Sequence, residues 1–256
     1  MSKINDTFKN GKAFIGFLTA GDPSLDKTEE FVLEMVKAGA DLIEIGVPFS
    51  DPIAEGEVIQ RANIRALSAG TTMDRIFETV ARIRQKTRVP LVFLTYLNPV
   101  FTYGYDHFFR KCSEYGVDGV IIPDIPFEEK GEMTPFSEKY DVDIISLIAP
   151  TSEERINKIA ADAKGFVYCV SSKGVTGVRS EIKTDLKSII STIRSATKVP
   201  TAVGFGLSTP QQASEISKFA DGIIVGSAIV KIIEEHGEKA AQPLFEYIHE
   251  MKQAIG

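Results

Sequence analysis

Eight short apolar runs, each followed by a segment with helical spacing, in a chain of 256 residues, predict an α/β protein whose strands close into a (β/α)8 TIM barrel. The runs are Ala13 to Ala20, Leu42 to Phe49, Leu91 to Leu97, Gly119 to Asp124, Ile144 to Ala149, Phe166 to Ser171, Thr201 to Gly206 and Gly222 to Gly226. Each is about as long as a buried parallel strand. Between them lie Phe31, Met35 and Val36 before Gly39, then Ile76, Val80 and Ile83 before Val89-Pro90, then Ile189, Ile190 and Ile193 before Val199-Pro200. That spacing is helical, and the glycine or proline marks each stop. An extra N-terminal helix is expected over Ile4 to Lys9, and a terminal one over Glu238 to Ile255.

The same units can also build an open, doubly wound sheet. Closure is favoured by the count of eight and by the first turn, which reads Leu18-Thr19-Ala20-Gly21-Asp22-Pro23 and lacks the G-x-G-x-x-G pattern of dinucleotide folds. No linker or low-complexity stretch interrupts the chain, so a single domain over 1–256 is expected.

Composition narrows the function. Hydrophobic residues make up 43% and charged residues 25%, the balance of a globular chain with a large core. The formal net charge is -6, and no cluster of Lys and Arg is dense enough to follow a nucleic-acid backbone. The N-terminus is polar and lacks the apolar core of a signal peptide, and no run reaches the length of about 18 apolar residues that spans a bilayer. A cytoplasmic protein that touches neither nucleic acid nor membrane is expected. Cys112 and Cys169 fall in a helical and a strand-like stretch, as small buried hydrophobes do in a reducing compartment. His107, His236 and His249 are scattered without ligand spacing, so no metal site is expected.

In this fold the reacting groups stand on loops at the C-terminal ends of strands. The seventh run ends in Val203-Gly204-Phe205-Gly206-Leu207-Ser208, and the eighth in Val225-Gly226-Ser227 before a helical stretch. Glycines admit an anion close to the backbone, and a helix start offers free N–H groups with a favourable dipole. A phosphate site is therefore expected there. A third cluster, Lys173-Gly174-Val175-Thr176-Gly177, follows the sixth run as a source of further backbone donors or as a lid.

Within the second run, Glu44 interrupts an apolar strand, and alternation sets it on one face with Leu42 and Gly46, the expected barrel interior. A buried carboxyl there is either half of a structural ion pair or an acid/base group whose pKa burial has raised. Asp51, Glu55 and Glu57 follow in the next loop, and spacing does not choose a second acid among them. Phe17, Leu94, Ile121 and Ile148 are expected on inner faces, leaving room for an apolar substrate part. Tyr96, Asn98, Asp124 and Tyr168 are further polar groups at strand ends, and Asp124 serves a turn or a substrate contact.

Taken in order, FLTAGDP, LIEIGVPFSDPIAEGEVIQ, TYLNP, KGVTG, VGFGLS and GSAIVKIIE closely resemble the tryptophan synthase alpha subunit family over essentially the whole chain. The resemblance implies a lyase of aromatic amino-acid biosynthesis, cleaving indole-3-glycerol phosphate into indole and glyceraldehyde 3-phosphate without a cofactor of its own. It implies a partner beta subunit carrying pyridoxal phosphate, in an alpha-beta-beta-alpha heterotetramer. By position, Glu44 matches the principal acid/base, and Glu55 stands where most members have an aspartate that handles the indole N–H. Phe17, Leu94, Tyr96, Ile121, Ile148 and Tyr168 match the indole pocket, and Thr176 matches a closing-loop contact to the second acid. Gly177, Gly206, Gly226 and Ser227 match phosphate contacts. The chain departs from the usual motif in reading Ala54-Glu55-Gly56-Glu57 where ADGP is common, and in having Lys173 for arginine. The competing readings are another phosphate-gripping barrel, such as a sugar-phosphate isomerase or epimerase, and a silent regulatory subunit. The long second-strand motif disfavours the first, and Glu44 the second.

Overall fold

Among the described residues, nine parallel strands make one sheet: β1 (Ala13–Thr19), β2 (Leu42–Gly46), β3 (Leu91–Leu94), β4 (Gly119–Ile121), β5 (Asp143–Ile144), β6 (Ser146–Ile148), β7 (Val167–Val170), β8 (Thr201–Gly204) and β9 (Gly222–Val225). The structure is a computed structural model; it describes residues 3–170, 179–204 and 206–256, and for 179–185 the backbone alone. The strand order is β5-β4-β3-β2-β1-β9-β8-β7-β6. Its two ends, β5 and β6, are separated only by Ile145, so the sheet curls round until it is a nearly closed barrel. The fifth expected strand is thus one stave broken at a single residue, whose N–H still donates to Val120 O at 2.9 Å.

The helices are α1 (Lys3–Asp6), α2 (Leu25–Lys37), α3 (Glu57–Ser68), α4 (Met73–Lys86), α5 (Leu97–Tyr103), α6 (Tyr105–Tyr115), α7 (Thr134–Tyr140), α8 (Glu153–Ala161), α9 (Arg179–Ala196), α10 (Pro210–Ser217), α11 (Ser227–His236) and α12 (Ala241–Ile255). Their starts carry the expected chemistry. Ser24, Thr72 and Ser152 accept the N–H three residues on, and Thr209 with Gln212 forms a reciprocal capping box. No helix among the described residues is long and apolar enough to cross a membrane. Cys112 and Cys169 are free and buried.

Alternation along the strands divides the core into two layers. Ile43, Ile45, Phe93, Val120, Val167, Val203 and Ile223 face outward and pack with helix residues such as Phe31, Ile76, Phe108 and Ile193. Ile15, Leu42, Val92, Ile121, Ile145, Phe166, Ala202 and Ile224 fill the inside. The extra N-terminal helix ends at Asp6, three residues before the expected end, yet its Ile4 is fully buried in this inner cluster and plugs the barrel floor. Expected strands overshoot at their C-terminal ends because apolar character reports burial, and residues such as Val47, Tyr96 and Ile122 are buried at the mouth without belonging to a strand.

At the foot of the barrel one device recurs three times. Asp41, Asp118 and Asp221 each stand just before a strand. Each donates its N–H to, and takes with its carboxylate the N–H of, one residue of a neighbouring strand: Phe14, Leu91 and Thr201 respectively. Each carboxylate also meets a cation, Lys252, Arg84 or Arg194. The Arg84 and Asp118 side chains are only 15% and 7% exposed, so truncating one partner strands a buried charge. Asp118→Ala is expected to cost about 3–5 kcal/mol in urea unfolding. A loss within the error of that measurement would remove the device from the list of stabilising features.

Candidate active site

Glu44 sits in the middle of β2, beside Phe17 of β1 and Val92 of β3 in the ladder. Its side chain points inward, is 1% exposed, and has no hydrogen-bond partner on Oε1. Burial alone pushes its carboxyl up to about 8, because a charge there would have neither water nor a cation to replace its hydration. The group is therefore protonated at neutral pH and available as an acid. It opens onto a cavity of about 1120 Å³ at the C-terminal end of the barrel. An ion pair in the floor, the competing expectation, is absent from the described contacts of this residue.

Of the three loop acids, Glu55 also lines that cavity, whereas Asp51 is exposed and accepts from Ser50 at 2.5 Å, and Glu57 opens α3. The Glu55 Oε2 accepts from Asn63 Nδ2 at 2.7 Å. Burial raises the pKa of Glu55, and the neighbouring Asn63 and Tyr96 draw it part of the way back down. Tyr96 holds the loop from the other side by accepting from Ala54 N at 3.1 Å, and burial lifts its own phenol to about 12. Glu44 and Glu55 thus form an acid pair with different surroundings, one in a dry apolar wall and one in a hydrogen-bonded corner. Such a split assigns a proton donor and a proton acceptor.

Between the acids and the far wall the lining is apolar. Phe17, Leu94 and Tyr168 line the cavity as expected. Ile121 is fully buried in the inner layer but beneath the cavity. Ile148 departs from expectation: it packs in the outer layer against the helices, and Leu147 faces the cavity instead. The reason is phase, since Ile145 and Leu147 take the inner face of the broken fifth stave and alternation turns Ile148 away. Two glycines make the lining possible. A Cβ on Gly46 would lie 2.6 Å from the Phe17 ring, and one on Gly204 would lie 2.5 Å from Tyr168 Oη. Asp124 takes the turn role, accepting from Leu97 N at 2.9 Å.

The opposite wall holds Gly206, Gly226 and Ser227. Gly206 has φ +75°, which a side chain would resist. Gly226 is the N-cap of the ten-residue α11 and supplies no side-chain cap, so the first N–H groups of that helix are left for an anion. Thr176 and Gly177, with Lys173, lie outside the described residues. Among the described residues, no group of three or more His, Cys, Asp or Glu is placed to hold a metal ion.

Sequence reasoning missed Asn63, Leu147 and the cations along the rim. Lys130, Arg155 and Lys231 line the cavity, the first two paired to Asp162 at 2.9 Å and to Glu128 at 3.0 Å. A signal for Asn63 was present: it interrupts the buried face that Ala62 and Ala66 give to α3, and a buried amide needs partners.

Comparison with known proteins agrees with this geometry. A family model described as tryptophan synthase alpha chain matches residues 4–255. The tryptophan synthase alpha chain of Lacticaseibacillus casei is 47% identical over 255 residues, covering 100% of this chain and 96% of that one. The counterpart from Lactiplantibacillus plantarum is 48% identical over 256 residues, covering 100% and 97%. Among solved structures, a tryptophan synthase alpha chain from Legionella pneumophila superposes with a TM-score of 0.89 at 36% identity, covering 100% and 97%. A chain of Mycobacterium tuberculosis tryptophan synthase in its aminoacrylate-bound form gives a TM-score of 0.89 at 30% identity, covering 100% of both. With a family model over nearly its full length and relatives this similar throughout, the chain belongs to the tryptophan synthase alpha chain family.

Proposed function

We propose that this chain is the carbon–carbon lyase of L-tryptophan biosynthesis that cleaves indole-3-glycerol phosphate into indole and glyceraldehyde 3-phosphate. The observation that carries this reading is the buried, unpartnered Glu44 carboxyl opening onto the same cavity as a second acid and a glycine-serine anion nest. The phosphate is held by Gly206, Gly226, Ser227 and the free N–H groups of α11, with Gly177 completing the nest. The indole ring lies against Phe17, Leu94 and Tyr168, backed by the buried Tyr96 and Ile121, and by the family resemblance Thr176 contacts the second acid. Ile148 acts only from behind the wall.

Four proton transfers follow, two at each acid. The Glu44 carboxyl gives its proton to the indole ring carbon that bears the side chain, while the Glu55 carboxylate takes the N–H proton, so the ring becomes an electron sink. Ionised Glu44 then removes the proton of the adjacent glycerol hydroxyl. The carbon–carbon bond breaks, its electron pair returns to the ring, and the ring nitrogen recovers its proton from Glu55. Anchoring the phosphate at the far wall holds both sites in register for these steps.

The lyase step uses no cofactor on this chain. Pyridoxal phosphate belongs to the beta subunit, which joins indole to serine, and the two kinds of subunit assemble as an alpha-beta-beta-alpha heterotetramer in the cytoplasm. The chain acts in it as one catalytic domain. Ile53, in the loop after β2, and Phe101, on α5, are 79% and 68% exposed and support a docking face beside the mouth.

Glu44→Gln is expected to lower indole release by about 10²–10⁴-fold while glycerol 3-phosphate still binds, the first read by an indole assay and the second by calorimetry. Near-normal turnover would overturn the assignment. Because Glu44 must start protonated, kcat/KM is expected to fall as pH rises through about 8. Stability shares the sign. The folded chain keeps a proton that the unfolded chain releases in the ordinary carboxylate range, so unfolding free energy declines from there up to about pH 8, and Glu44→Gln flattens that decline. With the cognate beta subunit, size-exclusion chromatography is expected to give one complex and faster indole release; two separate peaks at high concentration would count against the assembly.

A further inference from the structure

We propose that Asn63, which does not line the cavity, is a positioning residue that holds the Glu55 carboxylate in the orientation that receives the indole N–H proton. The inference rests on the lyase reading above and concerns a residue that does not touch the substrate.

Asn63 is 3% exposed on the inner face of α3, eight residues beyond Glu55. Its Nδ2 donates to Glu55 Oε2 at 2.7 Å. This is the side-chain hydrogen bond that holds the Glu55 carboxylate, and it comes from a different element, α3. The main chain is held as well: Gln60 Nε2 donates to Glu55 O at 2.8 Å, and Ala54 N donates to Tyr96 Oη. The helix that carries Asn63 is itself clamped. Arg65 makes a two-pronged contact to Asp22 at 2.8 Å and a further one to Glu234 of α11, and Arg61 grips Glu234 at 2.7 and 2.8 Å. The amide therefore has a rigid mount.

Chemistry selects this residue type. A leucine would leave Oε2 without a donor, and an aspartate would set a second negative charge beside the first. A glutamate also has one more rotatable bond than an aspartate, so an undirected Glu55 would spread its carboxylate over more orientations. The other ionisable groups near it do not supply this hold. Glu44 shares the cavity, Tyr96 accepts from Ala54 N, Asp124 lies close to Tyr96, and Glu57 is drawn to Arg61.

The test compares wild type, Asn63→Ala, the near-isosteric Asn63→Asp and Glu55→Gln with the double variant Glu55→Gln/Asn63→Ala, in complex with the beta subunit. Asn63→Ala is expected to lower kcat for indole release by about tenfold to a hundredfold while KM and glycerol 3-phosphate affinity change less than about twofold. The acid limb of its pH profile is expected to move to higher pH, since a donor that favours ionised Glu55 is gone. Asn63→Asp is expected to move it further, and in the Glu55→Gln background Asn63→Ala should have little additional effect. A uniform loss at every pH, additive with Glu55→Gln, or wild-type rates in both single variants would overturn the proposal. Should Asn63→Ala not fold, Asn63→Asp alone decides it by whether its acid limb moves. Failure of wild type to release indole would sink the lyase reading and this inference together, whereas an active wild type with unmoved profiles would sink this inference alone.

Discussion

Everything at the mouth of this barrel depends on keeping one carboxyl dry. Glu44 is surrounded by the inner layer of a closed sheet, and water cannot reach it from below because Ile4 of the first helix and the side chains around it fill the floor. Open that floor and the group becomes an ordinary solvated acid, ionised at neutral pH and unable to donate. Closure of the sheet is thus part of the acid/base chemistry. The single break at Ile145 does not spoil it, since the chain itself joins the two ends.

The second acid obeys a different logic. Glu55 stands on a loop, and loops are poor mounts for groups that must meet a substrate at a fixed distance. Here the deficit is made up by α3, which returns a side-chain amide to the acid and turns two arginines toward Glu234 on the helix whose start lines the far wall of the cavity. One helix therefore registers the acid corner against the wall that holds Gly226 and Ser227. The exposed Arg61 contact carries modest energy in water, but the Asp22 end of the network is buried and two-pronged, which makes it geometrically exacting.

Much of this was legible beforehand. Apolar runs located all eight staves, and the glycine-rich tips after Thr201–Gly204 and Gly222–Val225, expected at the mouth, line the cavity there. Glu44 could be set facing inward because strand alternation has a period of two and its neighbours Leu42 and Gly46 share that face. The same rule failed at Ile148, which was expected on the inner face and packs in the outer layer. With apolar residues on both faces of a buried strand, hydrophobicity carries no phase information. Strand ends were overrun for a related reason, and the choice among Asp51, Glu55 and Glu57 had to come from likeness to a family because nothing local distinguishes three acids on a loop. Asn63 went unnoticed because its partner lies eight residues away, outside any helical repeat.

The three aspartates at the foot give the molecule a division of labour. Each ties two staves together through paired main-chain and carboxylate bonds at the end remote from the cavity, so cohesion there does not depend on what happens above. Segments around the upper rim are then free to lengthen, shorten or exchange residues without loosening the frame. A substitution as unusual as glutamate at position 55 can be absorbed as a change of reactivity, leaving the architecture beneath it untouched.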